Sequence, residues 1–140
     1  MAMTPALFVL TERGLETAER VRAVIGPCSV VAGHSAKGGE TVPGRFGDEM
    51  RAAFEAGRPI VGICATGIIV RLLAPVLGSK QSDPPVVAVA ENGSAVVPVL
   101  GGHHGANDMA RRIAAALGSE AAVTTAGDLR FGVALDDPPA

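Results

Sequence analysis

Short unbroken apolar runs alternate along the chain with longer stretches in which apolar positions recur at helical spacing. Ala6 to Leu10, Cys28 to Ala32 and Pro59 to Cys64 are such runs, each bounded by turn residues. They predict strands buried on both faces, with proline tolerable at the start of the third. Between the first two, Leu15, Ala18, Val21 and Ile25 fall on one face of a predicted helix over 14–25. Gly26-Pro27 then stops it. Phe46, Met50 and Phe54 stand four residues apart and predict a second helix that Gly57 ends. The segment Ile68 to Leu77 is apolar nearly all round, interrupted only by Arg71, and predicts a buried helix.

The second half adds a different signal. Pro85 to Ala90 and Ser94 to Leu100 are β-rich runs on either side of Glu91-Asn92-Gly93, and Asn-Gly in that setting predicts a hairpin. Gly101-Gly102-His103-His104-Gly105 opens the last long helix, with Ala106, Ala110, Ile113, Ala114 and Leu117 on one face and Gly118 at its end. Ala121 to Thr125 reads as a final short strand, and Gly33 to Arg45, with four glycines, as a loop. Solidly apolar strands alternating with helices define an α/β domain. The expected architecture is three-layered and flavodoxin-like: a mostly parallel sheet with helices on both faces and one antiparallel hairpin.

Composition narrows the function classes. At 140 residues the chain suits one domain, expected over 1–135, with Asp136-Asp137-Pro138-Pro139-Ala140 as the start of a linker to a further carboxyl-terminal part. Hydrophobic residues at 48% against 19% charged exclude disorder. No apolar run approaches the roughly 18 residues of a membrane span. No basic region followed by a long apolar core opens the chain, so the expected location is the cytoplasm. Four Phe without Tyr or Trp cannot build a base-stacking platform, and 12 basic against 14 acidic residues leave no broad basic face. Nucleic acid and membrane are therefore not expected partners. Cys28 and Cys64 are too few for a zinc site.

Three segments carry candidate chemistry. Cys64-Ala65-Thr66-Gly67 ends a central strand, where open α/β sheets bind ligands. Thr66 is positioned to cap the next helix, Gly67 lets a ligand approach the backbone, and Arg71 lies further along it. Cys64 is read as a buried structural cysteine rather than a nucleophile. In Gly101 to Asp108, a second helix N-terminus is joined by His103 and His104, which titrate near neutral pH. The helical zinc pattern is absent there, so no metal is expected. Lys80-Gln81-Ser82-Asp83-Pro84 supplies an ammonium group for a carboxylate and a carboxylate that could act as a base.

Several of these motifs, in this order, resemble one family. They are Ala65 to Arg71, Ala74-Pro75, Lys80 with Ser82-Asp83-Pro84, Gly102-His103 with Gly105-Ala106-Asn107, Ala110-Arg111, and Thr124-Thr125-Ala126. The chain is similar, from about Ala6 to Asp128, to the amino-terminal domain of cobalt-precorrin-5A hydrolase, a family of cobalamin (vitamin B12) biosynthesis. The resemblance implies binding of a precorrin and opening of its δ-lactone with release of acetaldehyde. In such a mechanism His103 or Asp83 is expected to activate water and backbone N–H groups near Gly67 or Gly105 to stabilise the oxyanion, with Thr66, Gly67, Arg71, Lys80, Gly102, His104, Gly105 and Asn107 as the expected substrate contacts. The resemblance implies no cofactor held by this domain, cobalt being part of the substrate. The implied protein partner is a carboxyl-terminal domain of the parent, and a homodimer is a further candidate. Domains of this kind are also fused to precorrin-3B C17-methyltransferase, which uses S-adenosylmethionine. The alternative expectation is thus a non-catalytic substrate-binding or scaffold domain of such a fusion. The bottom-up agreement is that both glycine-rich helix N-termini, with Arg71, Lys80 and Arg111, suit a ligand bearing many carboxylates.

Overall fold

Consecutive side chains of β1 (Ala6–Thr11) point to opposite sides, and both sides are buried. Ala6 and Phe8 enter one apolar core, Leu7 and Val9 the other. β3 (Ile60–Ile63) and β4 (Val86–Val89) repeat this division, so continuous Val/Ile runs are what a two-sided sheet requires. The computed structural model describes residues 3–35 and 45–125. β2 (Ser29–Ser35) and β5 (Val96–Leu100) complete a five-stranded sheet in the order β2-β1-β3-β4-β5. The first four strands are parallel and β5 runs antiparallel to β4.

α1 (Leu15–Ile25) and α4 (Ala106–Leu117) cover one face, packing Ala18, Val21, Ala110 and Ile113 on Leu7, Val9, Val61 and Val87. α2 (Arg45–Glu55) and α3 (Thr66–Leu73) cover the other with Phe46, Met50, Phe54, Ile69 and Leu73. Phe8 and Phe46 meet edge to face at 5.7 Å between ring centroids. The bare backbone of Gly62 lets Ile69 settle on β3: a Cβ there would stand 2.6 Å from Ile69 Cδ1. The three-layer α/β architecture with one antiparallel pair is therefore as the apolar pattern implies.

Local differences have identifiable causes. β2 continues through Gly33 to Ser35, where a loop was expected, because Gly33 lies against the Leu10 carbonyl oxygen of β1 with no room for a Cβ. The expected helix over 68–77 is α3 followed by a 3₁₀ turn over Ala74–Val76, as Pro75 cannot supply a helical N–H. It is not buried all round: Val70 and Leu77 are each 47% exposed. The hairpin closes around four residues, 91–94, with Ala90 N–H donating to Ala95 O at 2.9 Å. Of the expected last strand, only Ala121 makes a bridge, parallel to Val96. The expected linker over 136–140 lies outside the described residues.

Candidate functional site

Because β5 reverses, Leu100 pairs with Val86 at the start of β4. The turn after β5 therefore lies at the amino edge of the parallel strands, beside the loop that leads into β4. Gly101 has φ +67°, and a Cβ there would stand 2.8 Å from Pro84 O and 2.9 Å from Pro85 Cα. Its carbonyl accepts from His104 N–H at 2.9 Å and Ala106 N–H at 3.1 Å, winding Gly102–His104 into a 3₁₀ turn. Gly105, with φ +113°, redirects the chain into α4.

The loop before β4 is fixed from within. The Asp83 carboxylate accepts from Gly78 N–H at 3.0 and 3.3 Å, and the Ser79 and Ser82 hydroxyls meet at 2.8 Å. Lys80 rides on this loop. Asn107 is buried, at 4% exposure, under the Gly102 turn. Its Nδ2 donates to Thr125 Oγ1 at 2.8 Å, tying the 121–125 segment to α4.

These pieces enclose a cavity of about 390 Å³. Leu77, Pro98, Val99 and Leu100 form its apolar wall, and Lys80, Asp83, His103, His104, Thr124 and Thr125 its polar side. Gly102 and Asn107 also line it, and Gly105 closes the adjoining turn. His103 is half-buried with Nδ1 enclosed, whereas His104 is exposed. An apolar wall facing an ammonium group, a carboxylate, two imidazoles and two hydroxyls suits a ligand with an apolar body and polar substituents. Replacing Thr125 by Val should cost about 1–3 kcal/mol, because the buried Nδ2 loses this acceptor. Thr125→Ser should stay close to the parent, and urea denaturation of the two variants measures the difference.

The sequence reading missed Leu77, Pro98, Val99, Leu100 and Thr125 as lining residues. Val99 and Leu100 offered one signal: both lie on an outer hairpin strand, where apolar side chains are left half covered.

Thr66, Gly67 and Arg71 are not brought to this cavity. Thr66 and Gly67 open α3 at the opposite, carboxyl edge of the sheet, and Arg71 is exposed in the last turn of α3. The two glycine-rich helix starts therefore lie at opposite edges of the sheet. Ala65, in extended conformation, is the N-cap of α3, so Thr66 does not cap it. Glu91 accepts a hydrogen bond from Thr11 Oγ1, and its backbone carbonyl accepts one from Thr17 Oγ1.

Burial, and secondarily the Glu91 charge, push the Cys64 thiol up from 9.0 to about 11. The neutral thiol is the form the fold accommodates. Its contribution is fully present below about pH 9 and is lost as pH rises through about 11. Near neutral pH a thiol reagent should label half-buried Cys28 and spare Cys64 until denaturant is added. Peptide mapping of the label would show this, and rapid native labelling of Cys64 would contradict it.

Among the described residues no group of three or more His, Cys, Asp or Glu could hold a metal ion. None of their helices is long and apolar enough to cross a membrane.

The class defined by this fold and cavity is a doubly wound α/β domain with a pocket at the amino edge of its sheet that carries Lys80, Asp83, His103 and His104. Residues 48–128 match the family described as cobalamin synthesis G N-terminal, and the chain belongs to that family. It is 39% identical over 134 residues to the cobalt-precorrin-5A hydrolase of Salmonella typhimurium, covering 94% of this chain and 38% of that protein. It is 39% identical over 84 residues to the cobalt-precorrin-5A hydrolase of Priestia megaterium, covering 59% of this chain and 22% of that one. The chain thus spans well under half the length of these curated relatives. A crystal structure of a cobalamin biosynthesis protein G homolog from Sulfolobus solfataricus superposes with a TM-score of 0.66 at 23% identity. That match covers 86% of this chain and 36% of the other, and it shows the shared fold. The resemblance read from the motifs is therefore borne out: this is a cobalamin-biosynthesis domain like the amino-terminal part of cobalt-precorrin-5A hydrolase.

Proposed function

We propose that the amino-edge cavity binds a cobalt-precorrin and that this domain takes part in opening its δ-lactone. The observation that carries the reading is the convergence of His103, Lys80 and Thr125 on one cavity with an apolar wall. The wall takes the edge of the macrocycle, while Lys80 pairs with a peripheral carboxylate. His103 accepts a proton from water as the water oxygen attacks the lactone carbonyl. Backbone N–H groups near Gly105, other than that of His104, which bonds Gly101 O, stabilise the oxyanion, and as the ring C–O bond breaks His103 returns its proton to the leaving oxygen. Asp83 serves this site by holding the loop under Lys80, since its carboxylate is engaged by Gly78 N–H. Asn107 serves it through Thr125. Thr66, Gly67 and Arg71 have no part in this step. The domain works beside the further chain that the longer relatives carry, and cobalt enters as part of the substrate.

The test is a titration with the lactone-bearing cobalt-corrinoid, read by its visible spectrum and by acetaldehyde release. Binding with release is the expected result. Binding without release would establish a substrate-holding domain, the reading that also suits a methyltransferase fusion. No spectral change would remove both.

A further inference from the structure

We infer that His104 supplies an axial ligand to the cobalt of the bound macrocycle. This rests on the reading of the amino-edge cavity as a cobalt-corrinoid site. A cavity of about 390 Å³ is at the small end of the roughly 300–1,000 Å³ range of pockets that enclose drug-sized ligands. A tetrapyrrole with its acetate and propionate arms is larger than such ligands, so only one edge of the ring enters. The ring centre, and with it the cobalt, then lies outside, over the rim.

Among the lining groups, the suitable neutral nitrogen donors are the imidazoles of His103 and His104. An ammonium has no lone pair to give, and the Asp83 carboxylate is held by Gly78 N–H. Imidazole is a good ligand for first-row transition metals, cobalt among them. The two histidines differ in depth. His103 is half-buried with Nδ1 enclosed, which suits the ring edge, whereas His104, which lines the same cavity, is exposed and so suits the ring centre outside it. The 3₁₀ turn closed on Gly101 O holds the two at different depths. In the bound state the His104 lone pair forms the cobalt–nitrogen bond and a water ligand leaves the metal. Ligation would set the height and tilt of the ring, so that its edge meets His103 in a fixed pose.

Cob(II)yrinic acid, a corrinoid with peripheral carboxylates and no nucleotide base of its own, is the probe. With the 140-residue chain, anaerobic electron paramagnetic resonance should show each cobalt hyperfine line split into a triplet by one axial nitrogen. His104→Ala and His104→Gln should both lose the triplet while still binding the probe, and added imidazole should restore it. His103→Ala should keep it. A bound wild-type spectrum without the triplet, or a triplet that persists in both His104 variants, overturns the ligation and leaves corrinoid binding standing. Absence of binding by the wild type removes the ligation and the cavity reading together.

Discussion

Replacing His103 by Gln is expected to lower acetaldehyde release from the lactone substrate by about two to four orders of magnitude, the usual contribution of a positioned acid–base group. The amide keeps much of the side chain's bulk and polarity but cannot take a proton from water. Substrate affinity should change little, since the proposed carboxylate contact is Lys80. His103 is only half-buried and belongs to neither apolar core, so the denaturation midpoint should stay near that of the parent. Asp83→Asn is the useful contrast. The amide oxygen can still accept from Gly78 N–H, so turnover should be largely kept while affinity falls through a less rigid Lys80 loop. Steady-state kinetics on both variants separates the roles. Turnover within tenfold of wild type in His103→Gln would remove that residue from the mechanism.

Gly101→Ala should be strongly destabilising. An L-residue at φ +67° costs about 1–2 kcal/mol, and the new methyl would overlap the Pro84 carbonyl and Pro85 Cα. Overpacking of that kind adds about 1–3 kcal/mol, and the clashing atoms are backbone, which cannot rotate away. The sum is a large share of the roughly 5–15 kcal/mol that hold a domain folded. Relief would come by moving the turn off the Pro84-Pro85 loop, which would open the cavity and displace His103 and His104. Urea denaturation should show the loss, and corrinoid binding should weaken with it. By contrast, Gly67→Ala meets no atom within 4 Å and should leave both unchanged.

The sheet was legible because its strands are unbroken apolar runs, and β1, β3 and β4 bury both faces as such runs imply. The hairpin was legible in Asn92-Gly93, whose Gly93 takes φ +78°. What was not read through was the consequence of that hairpin. A strand returning antiparallel must end beside the beginnings of its parallel neighbours. The turn at Gly101 therefore had to fall near the Lys80–Pro84 loop and away from Thr66 and Gly67. Asn92-Gly93 implies this placement, because a hairpin strand returns antiparallel. Arg71 misled differently: among Ile68, Ile69, Val70 and Leu72 its charge looked like an exception in a buried helix. It marks the solvent side of a helix covered on one face, with Val70 beside it. The bond between Asn107 and Thr125 joins residues 18 apart and has no signature in spacing or composition.

The reversal of β5 also bears on the order in which the chain can assemble. A hairpin needs only its own turn to close, on a timescale of about 1–10 μs, while a parallel pair must wait for a long crossover to be confined. β4 and β5 are joined by six residues, 90–95, whereas β1 must find β3 across residues 12–59. All residues lining the cavity fall between Leu77 and Thr125, around this hairpin. The functional corner thus draws on the part of the chain with the least loop-closure entropy to overcome, and the remote pairing of β1 with β2 and β3 is the slower event. Pulsed hydrogen exchange during refolding should protect the amides of Val87 to Val99 that bond across the hairpin before those of Leu7 to Val9.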